Sequence, residues 1–157
     1  MKQRLSSSLS LSLSFSLSFS LGLSLGLLGT GCGREQEVVE VTWPDGSPRT
    51  AYVVVEGDTV GFRAWHENGE LDREGGLLEG KRDGMWRAFY DDGTPWAEHE
   101  YDAGLQIGAY RTWYPNGTLN IEGAYDRTGK PTGEWVFYDP QGREARRMPA
   151  DSLPDGF

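Results

Sequence analysis

The sequence predicts an all-β protein, an elongated antiparallel meander of about five repeated β-hairpins. Three observations carry this. First, glycines recur in register. Gly61, Gly84, Gly108 and Gly133 are spaced by 23, 24 and 25 residues, and Gly69, Gly93, Gly117 and Gly142 by 24, 24 and 25. A third series, Gly80, Gly104 and Gly129, always falls four residues before a member of the first. Second, aromatics keep the same register. Trp86, Tyr110 and Trp135 lie two residues after a first-series glycine, and Tyr90, Tyr114 and Tyr138 five or six after it. Tyr101 and Tyr125 precede the third-series glycine by three or four. Third, no stretch shows a 3.6-residue period, so no long helix is expected. A fixed period of this length marks stacked supersecondary units.

Residues 1–31 read as a separate object. Lys2 and Arg4 precede a charge-free stretch of Ser, Leu, Phe and Gly from Ser6 to Leu28. That is a positive n-region followed by a greasy h-region, the pattern of a secretory signal peptide. Its many serines leave no 18-residue apolar run for a permanent span. The segment ends Leu28-Gly29-Thr30-Gly31-Cys32. Small residues before the lone Cys32 resemble a bacterial lipobox, in which the thiol is lipidated and the Cys becomes the new N-terminus. The third position before the Cys is Gly29 where that family usually has Leu. Gly29 and Gly31 equally suit ordinary signal peptidase, which would leave a secreted protein with a free thiol. Losing Lys2 and Arg4 takes the net charge from -9 to -11.

Residues 32–36 read as a short linker. The repeat domain follows over 37–148, in units of about 37–60, 61–83, 84–107, 108–132 and 133–148. Asn68-Gly69, Asp92-Gly93 and Asn116-Gly117 read as type I′ hairpin turns, since both residue types accept positive φ. Met85–Tyr90 and Pro95–Tyr101 have ordinary strand lengths. Alternation puts Trp86, Ala88 and Tyr90 on one face and Arg87 and Phe89 on the other. The first unit is degenerate, with Pro44-Asp45-Gly46 between two strand signals, as end repeats usually are. Residues 149–157 carry no pattern and read as a flexible tail.

Composition excludes several function classes. With 15 Lys+Arg against 24 Asp+Glu, the basic footprint of a nucleic-acid binder is absent. After residue 31 the only serines are Ser47 and Ser152, and the two histidines, His66 and His99, fall on different hairpins. A nucleophilic triad is therefore not expected. No stretch matches a calcium loop or a phosphate loop. No cofactor, no metal and no catalysis are expected. His66 stands where other units carry an aromatic and reads as a strand residue in that role. His99 reads as a half-exposed strand residue.

The pattern Gly-x-Trp-x-x-Tyr-x-x-x-Gly resembles the MORN repeat, in the variant found in bacterial YwqK-type antitoxin components. The resemblance covers about residues 61–142, with 37–60 as a weaker fifth unit. It implies a row of successive hairpins, about ten strands spanning roughly 45 Å. It also implies binding, because MORN arrays serve as scaffolds and partner-binding surfaces. The expectation is a cell-envelope lipoprotein, anchored at Cys32, that binds a partner protein through its sheet in an antitoxin- or immunity-like role. If the source is Gram-negative, the absence of Asp after Cys32 favours the outer membrane.

The expected binding residues are Phe89, Trp113, Arg87 and Arg111, on the face opposite Trp86 and Tyr110. The ladder Trp86/Tyr90, Tyr110/Tyr114, Trp135/Tyr138 reads either as the packed core or as a ligand platform. The alternatives to a protein partner are a carbohydrate or cell-wall ligand stacking on exposed rings, and a membrane-lipid surface. A charge of -11 opposes anionic lipid headgroups.

Overall fold

The computed structural model describes residues 33–154. The expected signal peptide, Cys32 and its lipid anchor lie outside the described residues. Within them the chain forms one antiparallel sheet of ten strands in sequence order. The strands are β1 (Glu35–Thr42), β2 (Pro48–Val55), β3 (Asp58–Trp65), β4 (Leu71–Leu78), β5 (Lys81–Phe89), β6 (Pro95–Asp102), β7 (Leu105–Trp113), β8 (Leu119–Tyr125), β9 (Pro131–Tyr138) and β10 (Glu144–Pro149). The all-β meander read from the sequence is thus the fold. β1 starts inside the stretch read as a linker, because Glu35 already pairs with Val55. The stretch read as a flexible tail begins with a 3-10 turn, Ala150–Ser152, that packs against β9.

The two ends of the hairpins use different turns, and the expected type I′ assignment belongs to the other end. At Tyr90–Thr94 the Tyr90 amide donates to the Thr94 carbonyl and the Gly93 amide to the Tyr90 carbonyl. That closes a three-residue loop. Gly93 has φ +81° while Asp91 and Asp92 do not have positive φ. A type I′ turn needs positive φ at both central residues, so these loops are of the three-residue kind that ends in a left-handed glycine. The same bonds close Trp43–Ser47, His66–Glu70, Tyr114–Thr118 and Asp139–Arg143. The type I′ signature sits at the third glycine series instead. Ala103 and Gly104 both have positive φ, 45° and 94°, between the paired residues Asp102 and Leu105. Glu79-Gly80 repeats this. The loop ending in Gly129 has reverted to three residues, closed from Asp126 to Lys130. That extra residue explains the 25-residue step to Gly133.

A single-layer sheet has no second layer to bury its rings, so the rings cover the sheet itself. Along one lateral row the partners are Tyr52, Phe62, Gly75, Trp86, His99 and Tyr110, then Gly123 and Trp135. Trp86 lies over Gly75 and stacks with Phe62 at 6.1 Å. Its Nε1–H donates to the Gly76 carbonyl at 2.9 Å. Trp135 lies over Gly123, 5.1 Å from Tyr110 and 5.3 Å from Tyr125. Rings laid on glycine recover burial that the missing side chain forgoes. Trp86 is 8% exposed and Trp135 is fully buried. Within the ladder, Trp86 and Trp135 are thus packed rings.

Candidate functional site

Besides the strand pairing that joins one hairpin to the next, a side-chain ladder runs between hairpins along the three-residue loops. Trp43 Nε1–H donates to the Trp65 carbonyl at 3.3 Å, and the His66 Nε2 group meets the Phe89 carbonyl at 3.0 Å. The Tyr90 hydroxyl donates to the Trp113 carbonyl and the Tyr114 hydroxyl to the Tyr138 carbonyl, both at 2.8 Å. His66 therefore occupies an aromatic's place in the repeat and makes its bond. Tyr138 does not belong with Tyr90 and Tyr114, where the sequence register had put it. It is equivalent to Phe89 and Trp113, the residues whose carbonyls accept, and Asp139 takes the loop position.

The face opposite the rings carries a row of alternating charge. Arg63, Glu74, Arg87, Glu98, Arg111 and Glu122 are successive partners across β3 to β8. Arg87 binds Glu98 and Arg111 binds Glu122, each at 3.1 Å. Of the expected binding residues, Arg87 and Arg111 thus share one row with Glu98 between them, and both are engaged in ion pairs. Phe89 and Trp113 stay one repeat apart, half-buried at the strand ends. The structure does not gather these four into one pocket.

A concave site lies instead on the aromatic face of β2–β5, at the N-terminal end of the repeat. It is an open trough of about 980 Å³. Trp43, Tyr52, Phe62 and Trp86 supply its aromatic wall. Three arginines enter it. Arg73 is held by Asp72 at 2.8 Å. Arg49 lies over the Trp43 ring, its Cζ 4.7 Å from the centroid. Arg82 lies over Trp86 at 4.5 Å and over Tyr101 at 5.3 Å, and donates to the Tyr101 hydroxyl at 3.0 Å. Neither Arg49 nor Arg82 has a carboxylate partner among the described residues.

Sequence reasoning passed over this trough. Arg73 has Ala97 and Ile121 as its equivalents one and two repeats on, and Arg82 has Gln106. The signal was departure from the repeat, while the reading followed agreement with it.

His99 is the other departure. It replaces the glycine found at 75 and 123, and the facing ring is then Tyr110, stacked on the imidazole at 4.7 Å. Its Nε2 is buried without a hydrogen-bond partner among the described residues. Burial first, and the positive charge of Arg82 second, lower its pKa from the ordinary 6.5. Burial likewise raises the Tyr110 hydroxyl above its usual value. Among the described residues no group of three or more His, Cys, Asp or Glu is placed to hold a metal ion.

Each hairpin at the centre of the sheet is one unit of the pattern, and comparison with known proteins agrees there. No curated protein and no solved structure matches the chain. Residues 82–103, covering β5 and β6, and residues 106–130, covering β7 and β8, match the family described as the MORN repeat variant.

Proposed function

We propose that this chain is a non-catalytic binding module of the cell envelope, exported by its N-terminal segment and anchored through Cys32, that captures a partner protein in the trough of its sheet. The observation that carries this reading is the trough itself. Repetition builds a continuous surface of similar contacts. Here one end of that surface departs from the repeat and becomes concave, with polar groups projecting between rings. The opposite face, where Arg87 and Arg111 sit, offers charges already paired with each other. The resemblance to antitoxin components adds a role for such a partner: a toxin met outside the cytoplasm.

In-cell photo-crosslinking tests the reading. A benzophenone amino acid replaces Tyr52 in the trough, and in a second strain replaces Arg111 on the other face. A protein adduct from position 52 and none from position 111 is the expected result. No adduct from either position would overturn the reading.

A further inference from the structure

We infer that the trough takes an extended protein segment of mixed charge, whose carboxylates are held by Arg49 and Arg82 and whose basic side chain meets the acidic loop edge at Glu67 and Asp91. This rests on the reading of the sheet as a protein-binding module and names the chemistry of what it binds.

Arg49 and Arg82 bring two positive charges without a carboxylate partner among the described residues into one trough of a chain whose net charge is -9. Both are exposed, and both guanidinium groups rest on aromatic rings. A guanidinium lying on a ring keeps N–H groups at its edge and loses little freedom when a carboxylate arrives to take two parallel bonds. Arg82 gives one Nη1–H to the Tyr101 hydroxyl and keeps its Nε and Nη2 donors for this. Arg73, in the same trough, is already occupied by Asp72. The two arginines stand near opposite loop edges, Arg49 beside the three-residue loop of β1–β2 and Arg82 beside the type I′ turn of β4–β5. A ligand that meets both must cross the width of the sheet, as an extended segment does.

The ring faces argue against a glycan. Sugar binding of this kind needs an open aromatic face. Trp86 is 8% exposed, stacked by Phe62 and covered by Arg82, and Trp43 is covered by Arg49. The loop edge argues the same way. Glu67 and Asp91 line the trough and have no ion-pair partner among the described residues. A polyanionic glycan brings one sign of charge only and would be repelled there. A peptide brings both.

The test is selection of a phage-displayed random peptide library on the full chain, purified in detergent. Enriched peptides are synthesised and titrated against wild type, Arg49→Gln, the Arg49→Gln/Arg82→Gln double variant and Arg87→Gln, with a melt of each. Polygalacturonate is titrated in parallel. The expected result is enrichment of peptides carrying Asp or Glu. Their affinity falls about tenfold in the double variant and on changing the peptide's acid to its amide, and Arg87→Gln leaves it within about twofold. If Arg82→Gln lowers the melting temperature, Arg49→Gln alone must still weaken binding. Peptides without acidic preference, or equal binding to the double variant, overturn the inference. Peptides lost on Arg87→Gln instead overturn it while leaving a protein-binding module in place. No enrichment, with or without binding of polygalacturonate, overturns both.

Discussion

Gly123 lies directly beneath the indole of Trp135, so closely that a methyl group in place of its hydrogen would sit 2.3 Å from the ring. Gly75 and Trp86 repeat the relationship at the same 2.3 Å. In both places a strand gives up a side chain so that the neighbouring strand's ring can lie flat. The sheet is its own cover, and its stability depends on these pairs as much as on the turns.

Gly75→Ala and Gly123→Ala should therefore each destabilise by about 1–3 kcal/mol, the usual cost of forcing extra atoms into a packed site. Trp135→Ala should cost about 3–5 kcal/mol, as buried aromatic truncations do. Urea denaturation measures all three. Gly75→Ala and Gly123→Ala melting like wild type would mean that the rings are free to lift, and the self-covering account would fail.

The turn glycines make a different demand. Gly93 and Gly117 have φ of +81° and +79°, where a side chain is strained whatever the space around it. Gly93→Val should cost more than about 1 kcal/mol, and Gly93→Asn clearly less, because Asn tolerates the left-handed region. If Val and Asn have the same effect, backbone conformation is not what the position requires.

Much of this was legible in the sequence, and the exceptions have physical reasons. A left-handed backbone is a local demand that only glycine meets easily, so the series at Gly84, Gly93 and Gly104 could be read without knowing any contact. Which turn type each series serves could not, because Asp-Gly suits both a two-residue turn and the end of a three-residue loop. Pairing across the strands decides it, and pairing is not written in one strand. Gly75 and Gly123 were overlooked because His99 interrupts their series. The trough was overlooked for a related reason. Trp43 and Arg82 are 39 residues apart, and only the successive pairings of β1 through β5 bring them to one face.

The proposed anchor at Cys32 is tested chemically. The full chain expressed in a bacterium should partition into the detergent phase and show an acylated N-terminal cysteine by intact mass. Cys32→Ala should move it to the aqueous phase, since two or three acyl chains supply the binding at about 0.8 kcal/mol per buried methylene. A wild-type mass with a free thiol at Cys32 would leave a secreted protein without an anchor.

The hydroxyl ladder should contribute modestly. Tyr114→Phe keeps the ring and deletes only the bond to the Tyr138 carbonyl. A single bond of this kind is worth about 0.5–1.5 kcal/mol net. Tyr90→Phe, which removes the bond to Trp113, should match it. A loss of several kcal/mol on deleting either oxygen would show that the ladder, and not the ring packing, joins the hairpins.

His99 gives the fold a dependence on pH. Its half-buried imidazole stacks on Tyr110, its buried Nε2 has no partner among the described residues, and Arg82 places a positive charge nearby. All three favour the neutral ring, so the folded protein binds this proton more weakly than the unfolded chain, whose histidine keeps a pKa near 6.5. Stability then rises with pH wherever the unfolded state holds more protons. The contribution of His99 is fully present above the unfolded value and is lost progressively as pH falls from about 6.5 toward the lowered folded value. Asp92, Asp126 and Asp139 are held below their usual 3.8 by hydrogen bonds within their own loops, and they titrate at lower pH. His99→Phe keeps a ring for Tyr110 to stack on and removes the titration. His66 is present in both proteins, so the difference between them isolates His99. Urea midpoints measured from pH 8 to pH 5 should run parallel at the upper end, with the wild type falling below the variant once the pH passes about 6.5. Curves that stay parallel down to pH 5 would mean that the imidazole takes its proton as easily in the sheet as in water.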